Sequence, residues 1–349
     1  KYFGEWKPNP DIKYLEYEPE QAITAPVQKD VYGLDAEFVM MGWRVPGSND
    51  YLRSEVGDFV GDILYNGQAG LADLNLIQAQ KVNGFYGFNY TRPDYGEFLL
   101  VGYPREGQTL DEVRDLMLGQ VAKLRSGDFD ESLIQSILDN YKLSEMRKLE
   151  SNEDMAMSFV ESFINGHNWK DDALQMQRLE KITKQQIVDW ANEYLGANSY
   201  VAGYKRIGED TDIKKIAAPA ITPIETNRDK QSEFLTEIQN TEVTPIEPVF
   251  VDFSKDMSKG SVAEGIELLY KKNEINDVTT LTSVFDRGIQ SDPRLDLAFD
   301  YLGYLGTPTR TAEQIKKELY ELACYQRLSC GPTQSSIGVS GLDKNVGKA

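Results

Sequence analysis

Hydrolytic chemistry near neutral pH calls first for histidine, and this chain has one, His167. It stands in Asn165-Gly166-His167-Asn168, just past a helix stop, and reads as a solvated loop residue. A single imidazole excludes a His pair for zinc, and any Ser/His/Asp or Cys/His triad would have to recruit this same residue. No serine occupies the G-x-S-x-G turn that exposes a nucleophile; Ser340, in Gly338-Val339-Ser340-Gly341, has the wrong spacing. Cys324 and Cys330 are too few for a disulfide scaffold or a thiolate zinc site and read as core residues at helix ends. No glycine run cradles phosphate as G-x-x-x-x-G-K-[ST] or G-x-G-x-x-G after a strand, so nucleotide binding has no support. Glu145, Glu150, Glu153 and Asp154 cluster in helical stretches where a paired-acid mechanism would need them. Among 56 acidic residues such neighbours arise by chance, and they read as a solvated face.

What remains is a backbone feature. The run Phe85 to Thr91, rich in Tyr, Phe and Gly, lies beside the glycine turn Gly67 to Gly70. An extended peptide can add to the edge of such a strand through main-chain hydrogen bonds, although the same composition also suits an interior strand.

The elements that must position these residues follow from periodicity. Ala36 to Val45 reads as a buried strand closed by Pro46-Gly47. Leu52, Val56, Phe59, Val60, Ile63 and Leu64 then fall at helical spacing before Asn66-Gly67. A short helix over Leu71 to Ala79 leads into two strands, Val82 to Thr91 and Gly96 to Tyr103, joined through Arg92 to Tyr95 as an antiparallel hairpin. Thr109 with Glu112, and Thr183 with Gln186, are capping-box pairs heading helices that end near Ser126-Gly127 and Gly196. Between these two lie helices from Leu133 to about Leu149 and from Met155 to Ile164, and the strand Ser199 to Lys205 closes the unit. A first domain over about 30–208 is therefore expected, an α+β fold with helices on one face of the sheet.

Residues 207–248 change to Thr, Pro, Glu, Asn and Lys, with only Phe234 to Ile238 hinting at order, and read as an interdomain linker. After it the order restarts: strand Val278 to Phe285, turn Gly288 to Pro293, helices Leu295 to Leu305 and Thr311 to Leu322, and strand Ser335 to Leu342. This repeats the elements of Phe38 to Thr91 and implies two copies of one module, the second stopping before its hairpin partner and helical half. At 349 residues the chain has room for about two domains. A net charge of -19, from 37 Lys and Arg against 56 Asp and Glu, argues against nucleic acid and anionic membrane surfaces as partners. No apolar run approaches the roughly 20 residues of a membrane-spanning helix.

Several stretches resemble the pitrilysin/insulinase family of zinc metallopeptidases. Lys1-Tyr2-Phe3-Gly4-Glu5-Trp6 resembles the last helix of the family's first domain. Phe38 to Trp43 with Pro46, then Leu64 through Gly70-Leu71, resemble the start of the second. Leu281 to Phe285, Gly288, Tyr301 to Thr307, Glu318-Leu319-Tyr320 and Gly341-Leu342 resemble the third. The resemblance implies an α+β metallohydrolase fold of two-layer repeated domains, mainly antiparallel sheet with helices on one face. It assigns residues 1–25 to the tail of the preceding catalytic-type domain, 26–208 to a second, noncatalytic domain, 209–250 to a linker between halves, and 251–349 to the incomplete start of a third.

On this reading the chain is an internal segment of a zinc metalloendopeptidase, forming chamber wall, hinge and a peptide exosite. Zinc is expected in the first domain, which carries the family's H-x-x-E-H and is missing here; this chain is expected to hold no cofactor and to be inactive alone. The exosite positions implied are Gly67, Gly70, Phe88, Asn89 and Tyr90, where bulkier residues replace the family's glycine-rich strand. Partners implied are unfolded peptides and the remaining domains of the same protein, in a periplasmic or exported setting. The alternative is a noncatalytic structural or assembly subunit of the same fold.

Overall fold

The computed structural model describes every residue except 1–4, 8, 14, 212, 213, 215, 225, 227 and 229, so the Lys1 to Gly4 part of the resemblance lies outside the described residues. The chain divides into two compact units. One takes the described residues up to Glu209 together with Val278–Ala349, and the other takes those from Asp210 to Asp277.

The first unit opens with strands β1 (Val27–Gly33) and β2 (Phe38–Pro46). Along β2 the side chains of Val39, Met41, Trp43 and Val45 are buried, while Met40 faces outward, the period of a strand with one covered face. Helix α1 (Tyr51–Leu64) follows, its N-cap Asp50 accepting from the Arg53 amide, and buries Phe59, Val60, Ile63 and Leu64. A π-helical turn at Asp73–Gln78 precedes the hairpin β3 (Gly84–Thr91) and β4 (Tyr95–Tyr103).

Helix α2 (Leu110–Arg125) starts with the reciprocal Thr109/Glu112 capping box and lays Leu110, Val113, Met117, Val121 and Leu124 into the core. Then come α3 (Ser132–Lys148), α4 (Asn152–Ile164), α5 (Trp169–Ala173), α6 (Gln175–Leu179) and α7 (Lys184–Tyr194), the last with the Thr183/Gln186 box. Strand β5 (Val201–Ile207) returns to the sheet. The sheet order is β1-β5-β2-β4-β3, antiparallel except for the parallel β1–β5 pair. One layer of helices packs on the face that carries Trp43, Phe85, Phe98 and Tyr204. This is the two-layer α+β arrangement that the sequence implies.

The second unit holds α8 (Glu233–Asn240), which covers the predicted patch of order, and a hairpin of β6 (Ser258–Ala263) with β7 (Ile266–Tyr270). Every residue of these three elements is exposed.

The rest of the first unit is β8 (Val278–Phe285), α9 (Arg294–Leu302), α10 (Ala312–Glu321), β9 (Cys324–Cys330), β10 (Ser335–Leu342) and the short α11 (Asp343–Val346). Its sheet order, β8-β10-β9, reproduces β2-β4-β3. The expected hairpin gap in the second copy is therefore corrected: β9 and β10 pair in full register from Ser335↔Cys330 to Gly341↔Cys324. For the same reason the two cysteines are not at helix ends; they bound strand β9, with Cys324 buried. Asn140 Nδ2 donates to Tyr320 O at 2.9 Å and Arg147 Nη2 to Ser340 Oγ at 3.0 Å, so α3 is tied to this part of the unit. Among the described residues no helix is long and apolar enough to cross a membrane.

Candidate peptide-binding site

The strand order decides what the aromatic run can do. Among the described residues β3 has β4 on one side and no strand on the other, so it is an edge and not the interior strand that its composition also allowed. The Arg92 N–H donates to Tyr95 O at 2.8 Å, which sets the ladder: even-numbered residues of β3 turn their N–H and C=O toward β4. The odd-numbered residues turn theirs the other way; at Asn89 and Thr91, both partly exposed, these groups point to the open side, whereas Phe85 and Gly87 are buried. Such groups are the template on which another extended chain pairs.

The pleat gives this edge two different faces. Tyr86, Phe88 and Tyr90 stand on the sheet face away from the helices, 51%, 43% and 46% exposed. The Arg92 guanidinium lies 4.8 Å from the centre of the Tyr90 ring, and Tyr86 meets Tyr65 and Tyr103 edge-on. Phe88 lies opposite Leu99 in the ladder, Leu99 opposite Gly42, and Gly42 opposite Val201, so the aromatic row continues inward as apolar surface.

Asn89 points to the helical side. Its Nδ2 donates to Asp58 Oδ1 at 2.9 Å, whereas its Oδ1 is buried with no partner. One turn further along α1, Asp62 accepts from the Tyr141 hydroxyl of α3. Asp58 reaches solvent, yet the protein crowded around it pushes its pKa up to about 7; the Asn89 bond opposes the shift, and the charges of Asp62 and Glu55 add to it. Burial likewise raises Asp62 to about 6. Glu55, on the same helix, is already paired: Arg178 contacts it at 3.0 and 2.5 Å, also donates to Asp171 O, and covers the Tyr51 ring.

The glycine turn is closed on itself. A single oxygen of Asp73 accepts from the amides of Asn66, Gly67 and Gly70 at 2.9, 3.1 and 3.0 Å. Gly67 has φ of +83°, a conformation that glycine adopts without strain, and a Cβ on Gly70 would lie 2.8 Å from Leu64 O. Both glycines shape the turn, and their amides are engaged by Asp73. Burial raises Asp73 to about 6, against the pull of the three backbone bonds. Tyr65, just before the turn, packs on Phe85 and Tyr86, which joins turn and strand.

Sequence reasoning missed Asp58, Asp62 and Asp73; the available signal was two acids at i and i+4 beside a buried apolar stripe. His167 also differs from the solvated loop residue expected. It is partly buried, with Nδ1 at 2.9 Å from Asp172 Oδ1 and Nε2 at 2.9 Å from Ser48 O, so both ring nitrogens are engaged in fastening the α4–α5 loop to the start of α1. Ser340 is buried and hydrogen-bonded to Thr280 and Arg147. Glu145, Glu150, Glu153 and Asp154 are exposed. Among the described residues no three His, Cys, Asp or Glu side chains come together as a metal site. The donor set present does not fit a catalytic zinc.

Residues 1–141 match the family model described as the peptidase M16 inactive domain. Over that stretch the chain is similar to the noncatalytic domain of the pitrilysin/insulinase (M16) peptidase family. A protease from Helicobacter pylori matches with a TM-score of 0.54 at 17% identity, over 59% of this chain and 50% of that one. The peptidase M16 inactive domain from Pseudomonas fluorescens matches with a TM-score of 0.45 at 13% identity, over 55% of this chain and 45% of that one. A periplasmic protease from Escherichia coli matches with a TM-score of 0.44 at 13% identity, over 96% of this chain and 40% of that one. The likeness to the Helicobacter pylori protease bears on the fold alone. A search of curated proteins found no match. The chain spans about half the length, or less, of the first structures it matches.

Proposed function

We propose that this M16 domain captures unfolded peptide as an added strand on β3, in a larger peptidase whose zinc chemistry resides in another domain. The observation that carries the reading is the open end of the β3 edge, with the main-chain groups of the partly exposed Asn89 and Thr91 turned outward beside an exposed aromatic row. Phe88, Asn89 and Tyr90 are the pairing segment, and Gly67 and Gly70 set the turn that flanks it. In the full-length protein the sheet face serves as chamber wall and residues 209–250 as the hinge between halves.

The test compares two substitutions at one position. Asn89→Ala removes the side chain and keeps the N–H; Asn89→Pro also removes the outward N–H. Fluorescence anisotropy with labelled extended peptides should show Asn89→Pro binding about five- to tenfold more weakly than Asn89→Ala, the worth of about one hydrogen bond. Equal affinities in two folded variants would end the proposal.

A further inference from the structure

We infer that the outer face of α4 is a docking surface for a partner's amphipathic helix whose apolar stripe is bordered by basic residues.

The polarity of this helix is inverted. Its buried residues are Ser158 and Ser162, whereas Met157, Phe159, Val160, Phe163 and Ile164 are exposed, Phe163 by 84% and Ile164 by 62%. A surface helix ordinarily turns such residues to the core and its serines to water. The setting is held in place by Ser48: its Oγ donates to Asn165 Oδ1 at 3.3 Å, just past the end of α4, and its carbonyl oxygen lies 2.9 Å from His167 Nε2. Rolling α4 to bury its apolar side would break these contacts. Five large apolar side chains gathered on one outward face mark an interaction site.

Shape and charge select the occupant. Phe159 with Phe163, and Val160 with Ile164, form two rows of i and i+4 neighbours, the ridges that interdigitate with a second helix. Phe159 also packs on Trp169 of α5, ring centres 4.2 Å apart, which widens the face. Helix α4 carries Glu153, Asp154 and Glu161 and no Lys or Arg, and α5 adds Lys170 against Asp171 and Asp172. By the 3.6-residue turn Asp154 and Glu161 line the edge beside Met157 and Ile164. Basic residues bordering the partner's apolar stripe meet these acids around an apolar centre, the anatomy of a specific interface. A second copy of this chain would bring the same acids and a net charge of -19 against themselves, which opposes self-association.

Three labelled peptides of about 14 residues, some four helical turns, test this by anisotropy on the intact chain: Leu and Lys at helical period, Leu and Glu at the same period, and the Leu/Lys composition with its period scrambled. The Leu/Lys helix is expected to bind about tenfold more tightly than either of the others. Phe163→Ser combined with Ile164→Ser, both at exposed positions, lowers its affinity about tenfold. Asp154→Asn combined with Glu161→Gln lowers it about threefold and weakens its salt dependence. No saturable binding, affinity unchanged in the serine variant, or equal binding of the Lys and Glu helices overturns the proposal. So does sedimentation of the peptide-free chain as a dimer that the serine variant dissociates, which would assign the face to a second copy.

Discussion

Replacing Arg178 with Met tests how α1, and with it Asp58 and Asp62, is held beneath the edge strand. The Arg178 side chain is 21% exposed and that of Glu55 8%, and they meet through two nitrogens, so the pair is largely out of water. Removing one partner leaves a carboxylate stranded in the interior, which costs about 3–5 kcal/mol. The substitution also forfeits the bond from Arg178 to Asp171 O and the guanidinium over Tyr51, about 1–2 kcal/mol together. Removing both charges, with Glu55→Gln added, relieves the stranded carboxylate and should recover about 2 kcal/mol or more of the single variant's loss. Urea denaturation of the wild type, both single variants and the double variant closes the cycle. A loss under about 1 kcal/mol for Arg178→Met, or a double variant no more stable than it, would refute the view that this pair clamps α6 to α1.

Two further outcomes follow from the same local physics. Gly70→Ala should cost about 2–3 kcal/mol because its Cβ would press on Leu64 backbone, whereas Gly67→Ala, with open space but φ of +83°, should cost about 1 kcal/mol; denaturation midpoints rank them. Asp58, Asp62 and Asp73 rise from 3.8 to about 7, 6 and 6, so the folded state holds protons that the unfolded chain has released between pH 4 and 7. Their contribution is fully present below about pH 4 and is lost as pH rises through 6 to 7, so stability from these groups falls from pH 5 to 8, and Asp73→Asn should flatten that slope.

Much of the helical layer was legible because its signals are local. Thr109 with Glu112 and Thr183 with Gln186 form the reciprocal caps that their spacing predicts, and the buried stripe of α1 follows its apolar period. What escaped depends on partners distant in sequence. Strand β1, Val-Gln-Lys-Asp-Val-Tyr-Gly, has almost no buried residue and exists because it pairs with β5 about 170 positions away. Strand β9 reads like a helix end because it starts three residues after α10 and carries Gln326 and Arg327 at its centre, and pairing with β10 fixes it. The edge status of β3 is likewise a property of sheet order, and the Asn89–Asp58 hydrogen bond exists only once β3 is laid against α1. His167 looked solvated for the same reason: its partner Ser48 lies 119 residues earlier.

The central claim is that a peptide pairs with the outward groups of β3, and residue-resolved amide hydrogen exchange of this chain with and without an extended peptide tests it most directly. The account predicts added protection at Asn89 and Thr91, with little change at the buried Phe85 and Gly87 and at Tyr86, Phe88 and Tyr90, whose amides already face β4. Unchanged exchange at Asn89 and Thr91 under saturating peptide, or protection confined to another part of the chain, would contradict it.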